Sequence, residues 1–251
     1  MKPLSGKVVL LTGALGTLGR AQAETLAAAG ASMILWDRPD RADGLEFAAE
    51  LAARAGVTCT YVGCDLNDLK ASEAKAGEVA KASGGVDILI NNAALIINKP
   101  FEQFSLDEYE NQIRVNSSAA FALTRAVAPG MKGKGYGKIV NFCSITLNGR
   151  WDGYVPYVGS KGALLGLTKS LARELGPHGI RVNAVSPGAV VSEAEQRVFG
   201  DRLQEYSDWI LANQCLKTRI QPSAVADLAL FLTSPASDMI SGQIINIDGG
   251  W

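Results

Sequence analysis

The chain has 251 residues, 47% of them hydrophobic, which is typical of one globular domain rather than of a disordered or fibrous protein. Its 24 lysines and arginines nearly balance 25 aspartates and glutamates, so the net charge of −1 provides no attraction for nucleic acid or an anionic membrane. The apolar run near the N-terminus is too short for a signal or membrane segment and the four cysteines form no C-x-x-C pair, so we expect a cytoplasmic protein with reduced thiols and no metal site.

Short runs rich in valine, isoleucine and leucine alternate with longer segments rich in alanine, leucine and glutamate. The short runs predict strands at residues 8–12, 32–36, 58–62, 86–91, 138–143, 181–185 and 243–247. The longer segments predict helices, notably at residues 19–29, 45–55, 105–128, 154–175 and 224–232. Because the strands are apolar on both faces, we predict an α/β fold, a doubly wound (Rossmann) parallel sheet flanked by helices on both faces. No linker divides the chain, so residues 1–251 are assigned to a single dinucleotide-binding and catalytic domain.

One long polar stretch, residues 189–219, breaks the alternation of strands and helices. In a doubly wound fold, an irregular insertion after the carboxyl end of a strand is a candidate lid over the ligand crevice. We therefore expect residues 189–219 to form a substrate lid. Its polar and aromatic side chains include Glu193, Glu195, Gln196, Trp209, Asn213 and Gln214.

A glycine-rich turn, T-G-A-L-G-T-L-G, joins the first predicted strand to the first predicted helix. Gly13, Gly16 and Gly19 permit a tight turn, and the amides at the helix N-terminus suit a pyrophosphate. Asp37 ends the second strand, near the separation of about 20 residues at which an acidic residue meets the adenosine ribose. Its carboxylate would repel a 2′-phosphate, which favours NAD over NADP. Arg38, which could bind that phosphate, is the opposing observation.

Tyr157 and Lys161 stand four residues apart, and Ser144 lies thirteen residues before the tyrosine. On a helix this spacing puts the phenol and the ammonium on one face, so the cation can lower the pKa of the phenol. A fall of two or three units from a pKa of about 10, roughly 3 to 4 kcal/mol, would let the tyrosine act as a base near neutral pH. Tyr154 has valine at position 158 instead of a lysine, so it is assigned to the pocket wall.

Five motifs in order resemble those of the short-chain dehydrogenase/reductase family, classical type. They are the glycine turn, N-N-A-A at residues 91–94, Ser144, Y-x-x-x-K, and Pro187 with Gly188. The resemblance covers essentially the whole chain, residues 7–250. Thr17 stands where the family usually has glycine, with Gly16 displaced by one position, and Ala94 replaces the glycine of N-N-A-G. We expect these small residues to alter the loop while cofactor binding is retained.

The resemblance implies an enzyme and assigns roles to particular residues. Tyr157 would be the base, Ser144 would orient the substrate oxygen, Lys161 would also grip the nicotinamide ribose, and Asn116 would order a water that relays the proton. The cofactor-binding residues expected are Gly13, Gly16, Thr17, Leu18, Gly19, Asp37, Asp65, Leu66, Asn92, Ala93, Tyr157, Lys161, Pro187, Gly188, Val190 and Ser192. The alternatives are structural: Asp65 as a turn residue, Ser144 as a strand-end cap and Asn116 as a buried amide. A homotetramer is also implied.

The substrate pocket is expected to lie between the ends of the fourth and fifth strands and the lid. The expected substrate-binding residues are Leu95, Ser144, Thr146, Asn148, Arg150, Trp151, Tyr154, Tyr157, Glu193 and Trp209. Aromatic faces with several hydrogen-bonding groups suit a sugar, sugar acid or polyol better than a steroid or a fatty chain. The alternatives are packing roles for Trp151 and Trp209 and a solvated side chain for Arg150.

The sequence therefore predicts an NAD-dependent dehydrogenase acting on a secondary alcohol or cyclic hemiacetal of such a substrate. A 3-oxoacyl-(acyl carrier protein) reductase is one alternative; it would prefer NADPH and need a basic surface for its acidic carrier. Asp37 and the acidic lid disfavour it. An alternative of another class is a non-catalytic, nucleotide-sensing protein, which the four intact catalytic positions disfavour.

Overall fold

A computed structural model of the protein describes residues 2–251 and contains one seven-stranded sheet. The strands are β1 (Val8–Thr12), β2 (Ser32–Asp37), β3 (Cys59–Gly63), β4 (Ile88–Asn91), β5 (Gly137–Phe142), β6 (Ile180–Pro187) and β7 (Ile244–Ile247). Their spatial order is β3-β2-β1-β4-β5-β6-β7, and every neighbouring pair is parallel. The prediction of a doubly wound parallel sheet is confirmed. The order reverses between β1 and β4, and a ligand crevice is expected at the carboxyl ends of the strands there.

Nine α-helices connect or flank the strands within the described residues. They are α1 (Thr17–Ala28), α2 (Gly44–Ala55), α3 (Leu69–Ala82), α4 (Leu106–Ile113), α5 (Ala119–Lys134), α6 (Val155–Leu175), α7 (Glu193–Phe199), α8 (Leu203–Asn213) and α9 (Pro222–Thr233). None of them combines the length and apolar character needed to cross a membrane.

Each face of the sheet packs against its own layer of helices, because successive strand residues point to opposite faces. Val9 and Leu11 of β1 join a buried cluster that contains residues of α1, α2 and α9. Leu10, between them, joins a second cluster that contains residues of α3 and α5. Burial on both faces explains why the strands are continuous apolar runs rather than alternating ones.

Three features differ from the helices expected from the sequence. The predicted helix 105–128 is divided by a π-helical turn at Arg114–Ser118 and extends to Lys134. Helix α3 was not among the helices anticipated, because its alanine-rich, charged segment buries only Ser72 and Ala76 and carries little apolar periodicity. The lid is not irregular: α7 and α8 occupy much of it, and the Ser192 hydroxyl caps α7 by accepting from the Glu195 amide.

Two of the four cysteines, Cys59 and Cys64, are half-buried, whereas Cys143 is buried and Cys215 is exposed. All four are free thiols. Burial raises the pKa of Cys143 to about 11. Its thiol is therefore protonated at neutral pH.

The turn between β1 and α1 depends on close backbone contacts. Gly13 has a φ of +65°, in the left-handed region that favours glycine. A Cβ on Gly19 would collide with the Gly13 carbonyl oxygen, whereas a Cβ on Gly16 would lie 3.6 Å from that atom, an ordinary contact. Gly16 precedes α1 and has no side-chain cap, which leaves the first amides of the helix free.

We predict that Gly19→Ala lowers the stability of the protein and that Gly16→Ala does not. The added methyl at position 19 would force the turn apart, at a cost of about 2 kcal/mol or more. For a chain of this size that corresponds to a fall in Tm of about 4 to 8 °C. Thermal unfolding followed by circular dichroism measures both variants; equal Tm values for the two would contradict the packing described for the turn.

Candidate active site

One cavity of about 670 Å³ runs along the carboxyl ends of the strands. Asp37 at the end of β2 and Asp65 after β3 line one end. Ser144 after β5 and Tyr157 on α6 line the middle, and the lid helix α7 contributes to the wall. The cavity therefore lies at the topological switch point of the sheet, where doubly wound proteins bind their ligands.

The glycine turn forms one wall of this cavity. Gly13, Gly16, Thr17, Leu18 and Gly19 all line it. Free amides at the start of α1, with the helix dipole behind them, form a cradle that suits a pyrophosphate. The absence of Cβ atoms at the glycines is what allows a ligand to approach the backbone here. The turn thus fits the dinucleotide expected from the sequence.

The end of β4 is tied to the glycine turn by side-chain hydrogen bonds. The Asn92 amide nitrogen Nδ2 donates to the Thr12 carbonyl at 2.9 Å, and the backbone amides of Asn92 and Ala93 donate to the Thr12 hydroxyl at 3.0 and 3.1 Å. Gln22 of α1 donates to the Asn92 Oδ1 at 2.9 Å. These bonds hold the N-N-A-A loop and the phosphate cradle in one rigid unit.

Asp37 occupies the position expected for a residue that meets the adenosine ribose. Its Oδ2 accepts from the Leu15 amide at 2.9 Å and its Oδ1 from the Arg38 amide at 2.8 Å. A carboxylate has about four lone-pair sites, so each oxygen can still accept a hydrogen bond from a ribose hydroxyl.

Arg41, which the sequence analysis did not single out, also lines the nucleotide end of the cavity. Its guanidinium donates to both Asp43 oxygens, at 2.9 and 2.8 Å, and to the Leu15 carbonyl at 3.2 Å. The hydrogen bond from Arg41 holds the pKa of Asp43 well below its usual range. A positive and a negative side chain, Arg41 and Asp37, therefore stand together at this end.

Tyr157 and Lys161 are buried on the first turns of α6, on one face as expected. The Lys161 ammonium lies 5.4 Å from the centroid of the Tyr157 ring and donates to the Phe142 carbonyl at 2.6 Å. Ser144 Oγ accepts from the Thr146 amide at 3.2 Å and from the Thr146 hydroxyl at 2.9 Å. Both of those bonds use lone pairs of Ser144, which leaves its own proton to be donated to the Tyr157 phenol.

The pKa of the phenol lies above its ordinary value, whereas the sequence analysis expects Lys161 to lower it. Burial raises the pKa of Tyr157 to about 12, although a hydrogen bond from Ser144 opposes the rise. Burial also lowers the pKa of Lys161 to about 8. Desolvation opposes the charged form of each group, but both pKa values lie above neutral pH, so the protein holds a neutral phenol beside a charged ammonium.

Asn116 lies in the π-helical turn and connects three parts of the site. Its Oδ1 accepts from the Leu95 amide at 2.6 Å, and its Nδ2 donates to the Leu95 carbonyl and to the Ser160 hydroxyl, both at 2.9 Å. Leu95 lines the cavity, whereas Asn116 does not. The Asn116 amide thus attaches the loop that follows β4 to helix α6, one turn of the helix from Tyr157.

The other end of the cavity is aromatic. Trp151, Tyr154, Phe199 and Tyr206 line it together with Leu95, Thr146 and Glu195. The Tyr154 and Tyr157 rings lie 6.1 Å apart, and Phe199 stacks on Tyr206 at 3.7 Å. Phe199 and Tyr206 were missed by the sequence analysis because only the helical phase of α7 and α8 turns them inward.

Several residues expected at the substrate lie elsewhere. Asn148 and Arg150 are exposed and do not line the cavity, and the Arg150 guanidinium lies 5.9 Å from the Trp251 ring. Trp209 also lies outside the cavity wall; it packs on Trp151 and Trp251, with centroids 5.8 and 5.1 Å away.

Glu193 lines the cavity at the end opposite to the one expected. Its amide donates to the Thr17 hydroxyl at 3.2 Å, and its charge contributes to the raised pKa of Arg41. Glu193 therefore stands over the phosphate cradle. Of the cofactor-binding residues expected on the lid side, Pro187, Gly188, Val190 and Ser192 all line the cavity.

The family model described as "Enoyl-(Acyl carrier protein) reductase" matches residues 13–251 of the chain. A gluconate 5-dehydrogenase from Gluconobacter oxydans is 34% identical over 98% of the chain and 95% of its own length. A D-xylose 1-dehydrogenase from Caulobacter vibrioides is 37% identical over 99% of the chain and 96% of its own. The chain belongs to the short-chain dehydrogenase/reductase family.

A solved structure of another short-chain dehydrogenase, described as an NAD(P)-dependent gluconate 5-dehydrogenase from Beutenbergia cavernae, contains NADP at low occupancy. It is 35% identical to this chain, covers 99% of it and 97% of that chain, and superposes with a TM-score of 0.92. Membership of the short-chain dehydrogenase/reductase family makes this protein an oxidoreductase, and the cavity holds the features that a nicotinamide dinucleotide needs.

We predict that Asn116→Ala destabilises the protein whether or not Asn116 acts in catalysis. The substitution would leave the polar groups of Leu95 and Ser160 without their partner, a loss of about 2 to 3 kcal/mol in the free energy of unfolding. Urea unfolding measures it, with Asn213→Ala, an exposed asparagine of α8, expected to change stability by less than about 0.5 kcal/mol. If the Asn116→Ala variant kept the stability of the wild type but lost turnover, Asn116 would act in proton relay alone.

Proposed function

We propose that the protein transfers a hydride between a nicotinamide dinucleotide, with NAD preferred, and a secondary alcohol or cyclic hemiacetal of a sugar, sugar acid or polyol. One observation carries the proposal: a buried phenol, ammonium and serine hydroxyl meet between the phosphate cradle and an aromatic pocket end. The relatives named for gluconate and D-xylose support the substrate class.

In this proposal the side chains bind the alcohol and move its proton. Ser144, whose lone pairs are occupied by Thr146, turns its proton from the phenol to the substrate oxygen when the substrate binds, and holds that oxygen against the phenol. Tyr157 takes the hydroxyl proton as the carbinol carbon loses its hydride. Lys161 stabilises the phenolate and offers its remaining N–H groups to the nicotinamide ribose. The dinucleotide, when bound, supplies the hydride acceptor and a positive ring near the phenol.

The buried site makes the energetic demand larger than expected from the sequence. A phenol with a pKa of about 12 needs a fall of about four to five units to act as a base near neutral pH, which is roughly 5 to 7 kcal/mol. The Lys161 ammonium, 5.4 Å from the centroid of the phenol ring, would supply part of that stabilisation, and the positive charge of a bound nicotinamide would add to it, because these charges act in a medium of low dielectric.

A 3-oxoacyl-(acyl carrier protein) reductase is the second candidate, and a relative of that name from Aquifex aeolicus, 34% identical over 98% of the chain and 98% of its own length, favours it. Such an enzyme would reduce an acyl ketone with NADPH and bind an acidic carrier. The net charge of −1 and the glutamates of the lid fit a small polar substrate better.

Tyr157→Phe tests the mechanism. We expect turnover of a sugar or polyol to fall by at least about 10³-fold, because the proton acceptor is lost, while the Kd for NAD changes less than about threefold. Nicotinamide absorbance measures turnover across a panel of sugars, polyols, hydroxy acids and a 3-oxoacyl thioester, and calorimetry measures binding. Near-normal turnover would remove Tyr157 from the mechanism, and activity on the thioester alone would favour the second candidate.

Asp37→Ala tests the cofactor preference. Removing the carboxylate removes both the ribose acceptor and the charge that repels a 2′-phosphate, while Arg41 remains to attract it. We expect the ratio of kcat/KM for NAD to that for NADP to fall about tenfold or more. Glu46→Ala, which removes an exposed charge from α2, controls for net charge and should leave the ratio unchanged. Wild-type preference for NADP would overturn the assignment.

A further inference from the structure

The aromatic end of the cavity contains a carboxylate that the mechanism does not use. Glu195 of α7 lines this end, and its side chain is only 11% exposed. Its oxygens accept from one nitrogen of the Arg219 guanidinium, at 2.6 and 2.7 Å. The charge of Glu195 also contributes to the raised pKa values of Tyr154 and Tyr206, which places the carboxylate near both phenols.

The two partners of this ion pair differ in their relation to the cavity. Glu195 belongs to the cavity wall and Arg219 does not. The Arg219 side chain is 14% exposed, and its Nε is buried without a hydrogen-bond acceptor among the described residues. Glu195 is therefore the member of the pair that a ligand in the cavity can reach, and the guanidinium outside the wall holds its carboxylate in place.

Glu195 still has capacity to accept hydrogen bonds. A carboxylate offers about four lone-pair sites, and Arg219 uses two of them. Tyr154 neighbours both Glu195 and the Tyr157 ring, so the carboxylate is within reach of the far hydroxyls of a sugar whose alcohol carbon is at Tyr157. Hydroxyl groups can donate to these free sites.

A substrate carboxylate would meet no unpaired buried cation at this end, because Arg219 is paired with Glu195. Lys161 donates to Phe142 beside the phenol, and Arg150 lies outside the wall. Arg197 lines the cavity but is exposed on the lid, where water screens its charge. Like charges brought together in a desolvated site cost several kcal/mol, which is enough to discriminate strongly between substrates.

We propose that Glu195 selects uncharged sugars or polyols over aldonic acids, by accepting hydrogen bonds from substrate hydroxyls and repelling a substrate carboxylate. Arg219 is a positioning residue that orients the carboxylate. This inference rests on the proposed dehydrogenase function and narrows its substrate class, because it excludes the sugar acids that the function itself allows. It also separates this protein from a relative named for gluconate.

The test compares substrates that differ only at one carbon: D-glucitol with D-gluconate, and xylitol with D-xylonate. We expect wild-type kcat/KM to favour the neutral member of each pair at least tenfold, the equivalent of about 1.4 kcal/mol. Glu195→Gln keeps the size of the side chain and one acceptor oxygen but removes its charge and the second acceptor oxygen. We expect it to reduce that preference at least tenfold, through a lower KM for the aldonate and a higher KM for the polyol.

Two further variants make the result decisive. Glu195→Gln leaves the buried Arg219 charge unpaired, so the double variant Glu195→Gln with Arg219→Gln removes both charges and should also lose the preference. Glu205→Gln, an exposed glutamate of α8 outside the cavity, should keep it.

An unchanged preference in both the single and the double variant, or a wild-type preference for the aldonate in both pairs, would overturn the role of Glu195 and leave the proposed dehydrogenase function standing. Failure of the wild type to oxidise any sugar, sugar acid or polyol with NAD or NADP would remove the proposed function itself.

Discussion

The buried ammonium of Lys161 is the constraint on which the arrangement of the site depends. A lysine with 1% of its surface exposed needs an acceptor, and the Phe142 carbonyl at the end of β5 provides one. That bond fixes the rotation of α6 against the sheet, and the spacing of four residues then places Tyr157 beside Ser144. The reactive groups are thus positioned by the parallel sheet, whose strand ends place Ser144 and the glycine turn along one edge.

The charges along the cavity divide it into regions with different tasks. Asp37 and Arg41 stand at the nucleotide end, and Lys161 stands beside the phenol. Glu195 stands at the aromatic end, paired with Arg219, which lies outside the cavity wall. Burial raises the pKa of Tyr157 and lowers that of Lys161, so the site resists ionisation of the phenol until further positive charge is bound. This coupling would keep the base inactive until the cofactor is in place.

Much of the fold could be predicted from the sequence, because apolar runs on both faces and short strand-to-helix turns are local signals of a parallel sheet. Tyr157, Lys161 and Ser144 could be selected for the same reason, since their spacing and motif context are local. The side chains that the lid turns toward the cavity could not be predicted. Whether Tyr206 or Trp209 faces the cavity depends on the rotation of the short helix α8 about its axis. The Glu195–Arg219 pair and the contacts of Asn116 with Leu95 and Ser160 join residues far apart in the chain, which no local pattern reports.

The pH dependence of kcat/KM in the wild type and in Lys161→Met tests most directly whether the ammonium makes the phenol a base. For any alcohol that the wild type oxidises, the account predicts a rate that rises with pH to a plateau. It predicts an apparent pKa at least about one unit higher in Lys161→Met, since one unit corresponds to about 1.4 kcal/mol of lost phenolate stabilisation. If the two proteins had the same apparent pKa and differed only in the plateau value of kcat/KM, the account would be contradicted and Lys161 would be a ribose-binding group only.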